Sequence, residues 1–465
     1  MPIPQRDLLS QYGAAVLSRN ASLFVGAGMS LDAGFATWGQ LLAVPQKQAN
    51  IPNMTDMPLL AQYYVLLTPG GREALESHIL AQMSHISTTP TEGHRLVAEL
   101  TIDDIWTTNY DCLLEEAMPN ARVVTREEDL TKRQILTRQR ITKMHGSLTK
   151  ETPINWLQNP TITRSDYEKY EREHPRKWAS LRASYMTRAF LFLGFSFSDP
   201  NIEILLRLSR TLLDVGGPEH FTVLKRPNGG DEERLHDLRV KDLEESGIGV
   251  HEIADYSEIV PLLQQLVRRT RQPLLFVSGS DGTNPSAVKE IGKRIGHRLA
   301  DLDLRLASLA GPASFAVSFP FGHSLQANSR YSPDRISFYF RESKETPPLL
   351  PRRMGTAVYT GWTREEMLAD VLPQCRAVLV LGGGDRTSEE VEMARQAQIP
   401  VIPVPTSGGT AARVYETVSI EDLLGADVTD EDRRDWENLN DSEPEIVAMA
   451  ASHLVRRTMF LAASD

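Results

Sequence analysis

Residues 22–34 read SLFVGAGMSLDAG: a short apolar run, then two glycines with one residue between them, then a polar stretch. Apolar residues that stop on glycine and hand over to a helix mark the first turn of a βαβ unit. Glycine lets the backbone turn tightly and approach a phosphate, and the helix start supplies amide donors and a positive dipole end. A lone G-x-G turn also has a plainer reading, as a tight connection without a ligand. Repetition is what decides the fold. DDIWTTNYD (103–111) is a second apolar run ending in polar residues, and CLLEEAM follows it with helical spacing. RAFLFLGFSFSDPNI (188–202) is a third, with glycine near its end and a helix-like EILLRLSRTLL beyond. HFTVLKR (220–226) and GVHEI (249–253) add two strands with a charged helix between them. Strands alternating with helices predict a parallel sheet. The polar, Arg- and Tyr-rich segment 150–188 interrupts the alternation and reads as a helical insertion.

The helical SEIVPLLQQLVRR (257–269) closes this half, and RTRQP (269–273) reads as a linker. At LLFVSGSDG (274–282) the pattern restarts. In the next segment Val288, Ile291, Ile295 and Leu299 fall on one helical face. AVLVLGGGDRTSEEVEMARQA (377–397) repeats the strand–glycine–helix theme, and IPVIPVP (399–405) is a further buried strand. The expected fold class is therefore α/β, with two doubly wound, Rossmann-like domains over 1–270 and 274–465. The Ser-, Pro- and Arg-rich stretch 320–352 reads as a loop or ligand-facing insertion, and 416–444 as acidic and turn-rich before a last amphipathic helix.

Bulk properties narrow the function classes. A chain of 465 residues exceeds one ordinary core, and 41% apolar with 24% charged residues is soluble composition. No run of eighteen apolar residues occurs and the N-terminus lacks a basic, then apolar, leader, so no membrane role and a cytoplasmic location are expected. A net charge of -11 argues against a general nucleic-acid binder. The two cysteines, Cys112 and Cys375, cannot build a disulfide framework or a four-cysteine zinc site.

Polar groups gather at the ends of three further strands, in TTNYD, KMHGSL and GFSFSD, where ligands of open α/β sheets bind. Each residue has a modest role available. Asp111 suits the cap of helix 112–118, His145 a backbone hydrogen bond, and Ser196 and Asp199 the cap of a helix opening with Pro200. Their joint placement is harder to assign to capping alone.

GAGMSLDAGFATW, TTNYD, MHGSL and GFSFSD, in this order over residues 10–270, resemble the signature blocks of the sirtuins. The resemblance implies that Gly26, Ala27, Gly28 and Ser30 hold the NAD pyrophosphate and that Gly194 and Ser196 line the adenosine side. It implies Asn109 on the nicotinamide ribose or an attacking water, Asp111 on the nicotinamide carboxamide, and His145 as general base. Deacylating sirtuins carry a four-cysteine zinc module after the histidine block; HGSLTKETPINWL has no cysteine. They also have Phe-Arg where Trp38-Gly39 stands and glutamine where Thr108 stands. Without the zinc module the acyl-lysine groove is missing or remodelled, and water becomes the nucleophile. The expected activity is hydrolysis of NAD to nicotinamide and ADP-ribose with no metal. A histidine titrates in the right range for such work.

In the second half, LGGGDRTSEEVEMA (381–394) resembles the G-G-x-G-T-x-x-E block of the lysine-decarboxylase-like proteins, with Arg386 in place of the glycine before Thr387. That departure implies sensing rather than catalysis, as in the related SLOG domains. Gly279, Ser280, Gly382, Gly383, Gly384, Thr387 and Glu390 would then form a signal site, with an arginine such as Arg353, Arg364 or Arg386 on the ligand's diphosphate. A sirtuin-like domain followed by a SLOG domain resembles the NAD-consuming effectors of bacterial Thoeris antiphage defence. This resemblance implies a homotetramer switched on by a cyclic ADP-ribose isomer that a TIR-domain partner protein makes. The alternatives are an NAD-dependent protein deacylase and a non-catalytic nucleotide sensor or scaffold.

Overall fold

The computed structural model describes residues 2–84, 86, 89–131, 139–148, 157–197, 199–212, 219–282, 284–341, 353–424 and 428–460. The chain divides into two compact units, Met1–Thr270 and Arg271–Asp465.

Strands β1 (Ala21–Val25), β2 (Asp104–Thr107), β3 (Arg122–Val124) and β4 (Arg140–Lys143) come first in the first unit. A two-stranded ribbon follows, β5 (Ser147–Leu148) with β6 (Leu157–Gln158), then β7 (Ala189–Leu193), β8 (His220–Lys225) and β9 (Ile248–Ile253). Seven of them form one sheet in the order β3-β4-β2-β1-β7-β8-β9. Every neighbouring pair in it is parallel. The chain builds outward from β1 on one side and then crosses to β7, so the topological switch point lies between β1 and β7, where such sheets bind ligands.

Strand period explains the two cores. Leu23 and Val25 point to one face with Ile105, Ile141 and Leu191, beneath helices Gln5–Leu17 and Ile259–Thr270. Phe24 points to the other with Trp106, Phe190 and Phe192, beneath helices Pro175–Thr187 and Pro200–Leu212. Helices Trp38–Gln48, Met57–Leu67 and Gly71–Met83, all between β1 and β2, make a separate apolar layer with Tyr110, Leu113 and Leu148.

The second unit holds β10 (Leu274–Ser280), β11 (Arg305–Ser308), β12 (Ile336–Arg341), β13 (Thr356–Thr360), β14 (Ala377–Gly382) and β15 (Val401–Val404). Their order is β13-β12-β11-β10-β14-β15, again all parallel, with the switch point between β10 and β14. The α/β class with two parallel, Rossmann-like sheets agrees with the expectation. Val288, Ile291, Ile295 and Leu299 are buried together on helix Pro285–Leu299.

Two expectations are corrected. The stretch 320–352 is not an open loop: residues 320–327 finish helix Pro312–Ala327 and 336–341 form β12, while 342–352 lie outside the described residues. Phe319, Phe321 and Leu325, with Ile336 and Phe338, are buried in the core, and their burial outweighs Pro320 and the serines. Within 416–444, Ile420–Leu424 and Asp430–Asn438 are helical. Thr429 caps the latter, whose acidic first turn suits the helix dipole. No helix among the described residues is long and apolar enough to cross a membrane.

Candidate active site

Two loops meet at the first switch point. Gly26 N donates to Leu193 O at 2.8 Å, and Gly28 N donates to Gly194 O at 2.9 Å. A Cβ on Gly28 would lie 2.8 Å from Gly194 Cα, and Gly194 itself has a φ of +61°. The glycines therefore let two main chains touch, and the amides of Gly26 and Gly28 are spent on that contact. Ala27, Gly28, Ser30, Gly194 and Ser196 line a cavity of about 930 Å³, and Gly26 is not among its lining residues. That volume lies within the range of about 300–1,000 Å³ usual for ligand clefts.

Asn109 follows β2 and is fixed on three sides. Its main-chain N–H donates to Thr107 Oγ1 at 3.0 Å. Its Nδ2 donates to Gly26 O at 3.1 Å and Ser30 Oγ at 3.2 Å. Its Oδ1 is buried with no hydrogen-bond partner among the described residues. A buried acceptor left in this state costs about 1–3 kcal/mol, so this oxygen is poised for a ligand or water. Asp111 accepts from Ser30 Oγ at 2.9 Å and from Leu113 N, the first amide of helix Leu113–Ala117, at 3.1 Å, while lining the cavity. Beneath this loop Lys143 is fully buried. Its ammonium donates to Tyr110 O at 3.1 Å, Glu115 Oε1 at 2.9 Å and the carbonyl of Asp111. Burial opposes that charge, but Glu115, with Cys112 and Asp111, raises the lysine pKa above its usual value.

His145, just beyond β4, lines the same cavity as Asn109. Its ring sits edge-on to Tyr167 and Tyr170, at centroid distances of 5.1 and 6.1 Å. Its Nε2 lies 3.4 Å from Asp199 Oδ2 and 3.5 Å from Asn201 Nδ2. Burial, then the charge of Lys177, lowers the imidazole pKa to about 3, so the ring is neutral at working pH. Burial lifts Asp199 to about 7. Residues 149–156, where a zinc module would begin, lie outside the described residues.

The structure thus brings Asn109, Asp111, His145, Ala27, Gly28, Ser30, Gly194 and Ser196 to one cavity. Sequence reasoning did not assign Asp199, Asn201, Tyr167 or Trp38 to it. The signals were present: SDPN was read as a cap, Tyr167 as part of a polar insertion, and Trp38 as a departure from a motif.

At the second switch point three loops interlock. Gly382 N donates to Ser407 Oγ at 2.7 Å, Thr410 N to Gly383 O at 3.1 Å, and Thr410 Oγ1 to Gly384 O at 2.9 Å. Gly279 has a φ of +134° and packs on Leu381. Thr387 is buried against Gly383, while Gly384 and Arg386 are exposed and Ser280 is half-buried. Arg364 donates to Glu390 Oε1 at 2.7 Å and Glu389 Oε2 at 2.6 Å, and Ser278 donates to the other oxygen of Glu390. Burial raises the Glu390 pKa, with Ser278 and Arg364 acting against it. Arg364 and Glu390 are thus paired with each other. Arg364 lies just past the carboxyl end of β13, whereas Arg353 precedes the start of that strand. In a parallel sheet Arg353 is therefore at the opposite end from these loops.

A family description for SIR2-like domains matches residues 103–250. The chain is 30% identical over 331 residues to NAD(+) hydrolase ThsA of Enterococcus faecium, covering 65% of this chain and 68% of that one. It is 28% identical over 287 residues to NAD(+) hydrolase ThsA of Bacillus cereus (strain MSX-D12), covering 58% and 59%. It is 25% identical to NAD(+) hydrolase ThsA of Acinetobacter baumannii (strain 532279), covering 96% and 97%. At 30% identity over 68% of the Enterococcus faecium enzyme, the chain belongs to the ThsA family of NAD(+) hydrolases.

Proposed function

We propose that this chain, an NAD(+) hydrolase by family, cleaves the nicotinamide–ribose bond with water in the cavity of its first unit. A cyclic ADP-ribose isomer at the second switch point turns that activity on. The orphaned Oδ1 of Asn109, in the same cavity as His145, carries this reading. Loss of nicotinamide leaves an oxocarbenium-like centre at C1′. A rigid amide oxygen can hold the attacking water or a ribose hydroxyl there without reorganising. Asp111, kept in place by Ser30, would face the nicotinamide carboxamide, and the loops at Gly28 and Gly194 would take the rest of the dinucleotide.

In the second unit the exposed Gly384, with Ser280 and Arg386 nearby in sequence or across the switch point, suits a diphosphate. The proposed setting is Thoeris defence in the bacterial cytoplasm, with a TIR-domain partner supplying the isomer and the effector acting as a homotetramer. Switching requires that the isomer bind the active arrangement more tightly, each tenfold preference contributing about 1.4 kcal/mol.

The test mixes purified protein with NAD and a panel of cyclic ADP-ribose isomers and follows nicotinamide. One isomer should trigger release, and Asn109→Ala or His145→Ala should each reduce it about 10²-fold or more. Release that neither substitution alters removes this site assignment. Appearance of O-acyl-ADP-ribose with an acylated lysine peptide would favour deacylation instead.

A further inference from the structure

Asp199 caps helix Pro200–Leu212, its Oδ1 accepting from Asn201 N at 2.9 Å. The cap leaves Oδ2 over, and that oxygen lies 3.4 Å from His145 Nε2. Asn201 Nδ2 approaches the same nitrogen at 3.5 Å, and all three side chains belong to the cavity wall. An amide nitrogen can only donate, so its bond to Nε2 requires that nitrogen bare; a carboxylate can only accept, so its bond requires Nε2 protonated. Asn201 and Asp199 therefore favour opposite states of one nitrogen, and the charge on Asp199 decides between them.

We propose that Asp199 is a positioning residue for the hydrolysis, orienting the His145 imidazole and receiving through it the proton that the attacking water gives up. This rests on the hydrolase reading above. The balance is simple. The C1′–N bond breaks with its electron pair going to the pyridinium nitrogen, which leaves as neutral nicotinamide. The water oxygen bonds C1′ and one water proton stays on the new hydroxyl; the other goes to the free imidazole nitrogen, Nδ1, as the Nε2 proton passes to the Asp199 carboxylate and then to solvent.

Burial agrees with this division of labour. It makes the imidazole alone a poor proton store, with its pKa held to about 3, while lifting Asp199 to about 7. The other titratable groups facing the pair are Lys177, His174, Asp166, Tyr110, Tyr167 and Tyr170. Burial keeps the three phenols neutral and His174 near 4, and it lowers Lys177 to about 8. Asp199 and Lys177 are thus the groups of this set whose charges change close to neutrality, and of the two Asp199 is the one in reach of Nε2, at 3.4 Å. Because the carboxylate is the accepting form, kcat should rise with pH through about 7.

Asp199→Asn is the decisive variant, because asparagine caps a helix as well as aspartate does. It should lower kcat about 10²-fold, leave KM within about twofold, and flatten the rising limb. Asp199→Glu should restore a rising limb. In the protein without substrate, the ¹⁵N signals of the His145 ring should shift with pH in step with Asp199, and not in Asp199→Asn. Should the wild type turn over NAD while Asp199→Asn keeps the same pH profile and His145 signals, the role of Asp199 falls and the hydrolase stands. Should the wild type leave NAD intact with every isomer, the hydrolase reading falls and takes this role with it. A poorly folded Asp199→Asn would betray itself by collapsed ring signals, and Asp199→Glu against wild type then decides.

Discussion

Lys143 shows how much one side chain can set beneath a site it does not enter. Its ammonium ties the carbonyls of Tyr110 and Asp111 to the Glu115 carboxylate, so it fixes the loop that presents Asn109 and Asp111. Lys143→Met would leave Glu115 charged, buried and alone, a loss of about 3–5 kcal/mol. Replacing Glu115 by Leu in the same chain should return part of it, because the stranded charge is gone. Denaturant unfolding of the two single variants and the double one checks this, and strictly additive losses would contradict the pairing. The partial return should not extend to NAD cleavage, since the two carbonyls still lack their donor.

At the scale of elements, Gly194 joins β7 to the loop after β1. With φ at +61° and the main chain of Met29 against it, Gly194→Ala should cost about 2 kcal/mol or more and abolish NAD cleavage. Near-normal thermal stability in that variant would mean the loops separate easily. Elements also show what was legible from residues alone. β1, β2, β7 and β14 are buried throughout and β10 over its middle, and each ends on or runs into glycine or polar residues, so their apolar runs stand out. β11 and β13 do not: β11 has four residues and opens on Arg305, and β13 is a partly exposed edge strand. Helix Pro312–Ala327 hid because Ser314, Ser318 and Gly322 share its buried face while Phe315 and Ala316 are only half-buried, so its apolar residues have almost no single-sided period. The site residues at 109 and 145 stood out as polar groups at strand ends. Asp199 stood at a strand end too, but its second job, beside His145, did not show, since a sequence reveals just the cap.

At the scale of the whole molecule, the same architecture occurs twice, and each switch point carries a glycine cluster. The clusters differ in what the glycines leave open. A Cβ at Gly384 would meet nothing within 4 Å, and its backbone is extended, so Gly384→Asp should fold normally. Its carboxylate would repel a diphosphate, weakening the activating isomer about tenfold or more in calorimetry. Unchanged affinity would move the signal site elsewhere.

The amides of Gly26 and Gly28 are already bonded across to residues 193 and 194, so this side of the proposed NAD cavity is stitched to the end of β7. Movement that admits a dinucleotide is then easier in the three-helix layer, whose Trp38, Met57 and Pro58 line the same cavity as Asn109 and His145. Stapling that layer to the sheet is then a direct way to lock such a catalyst shut.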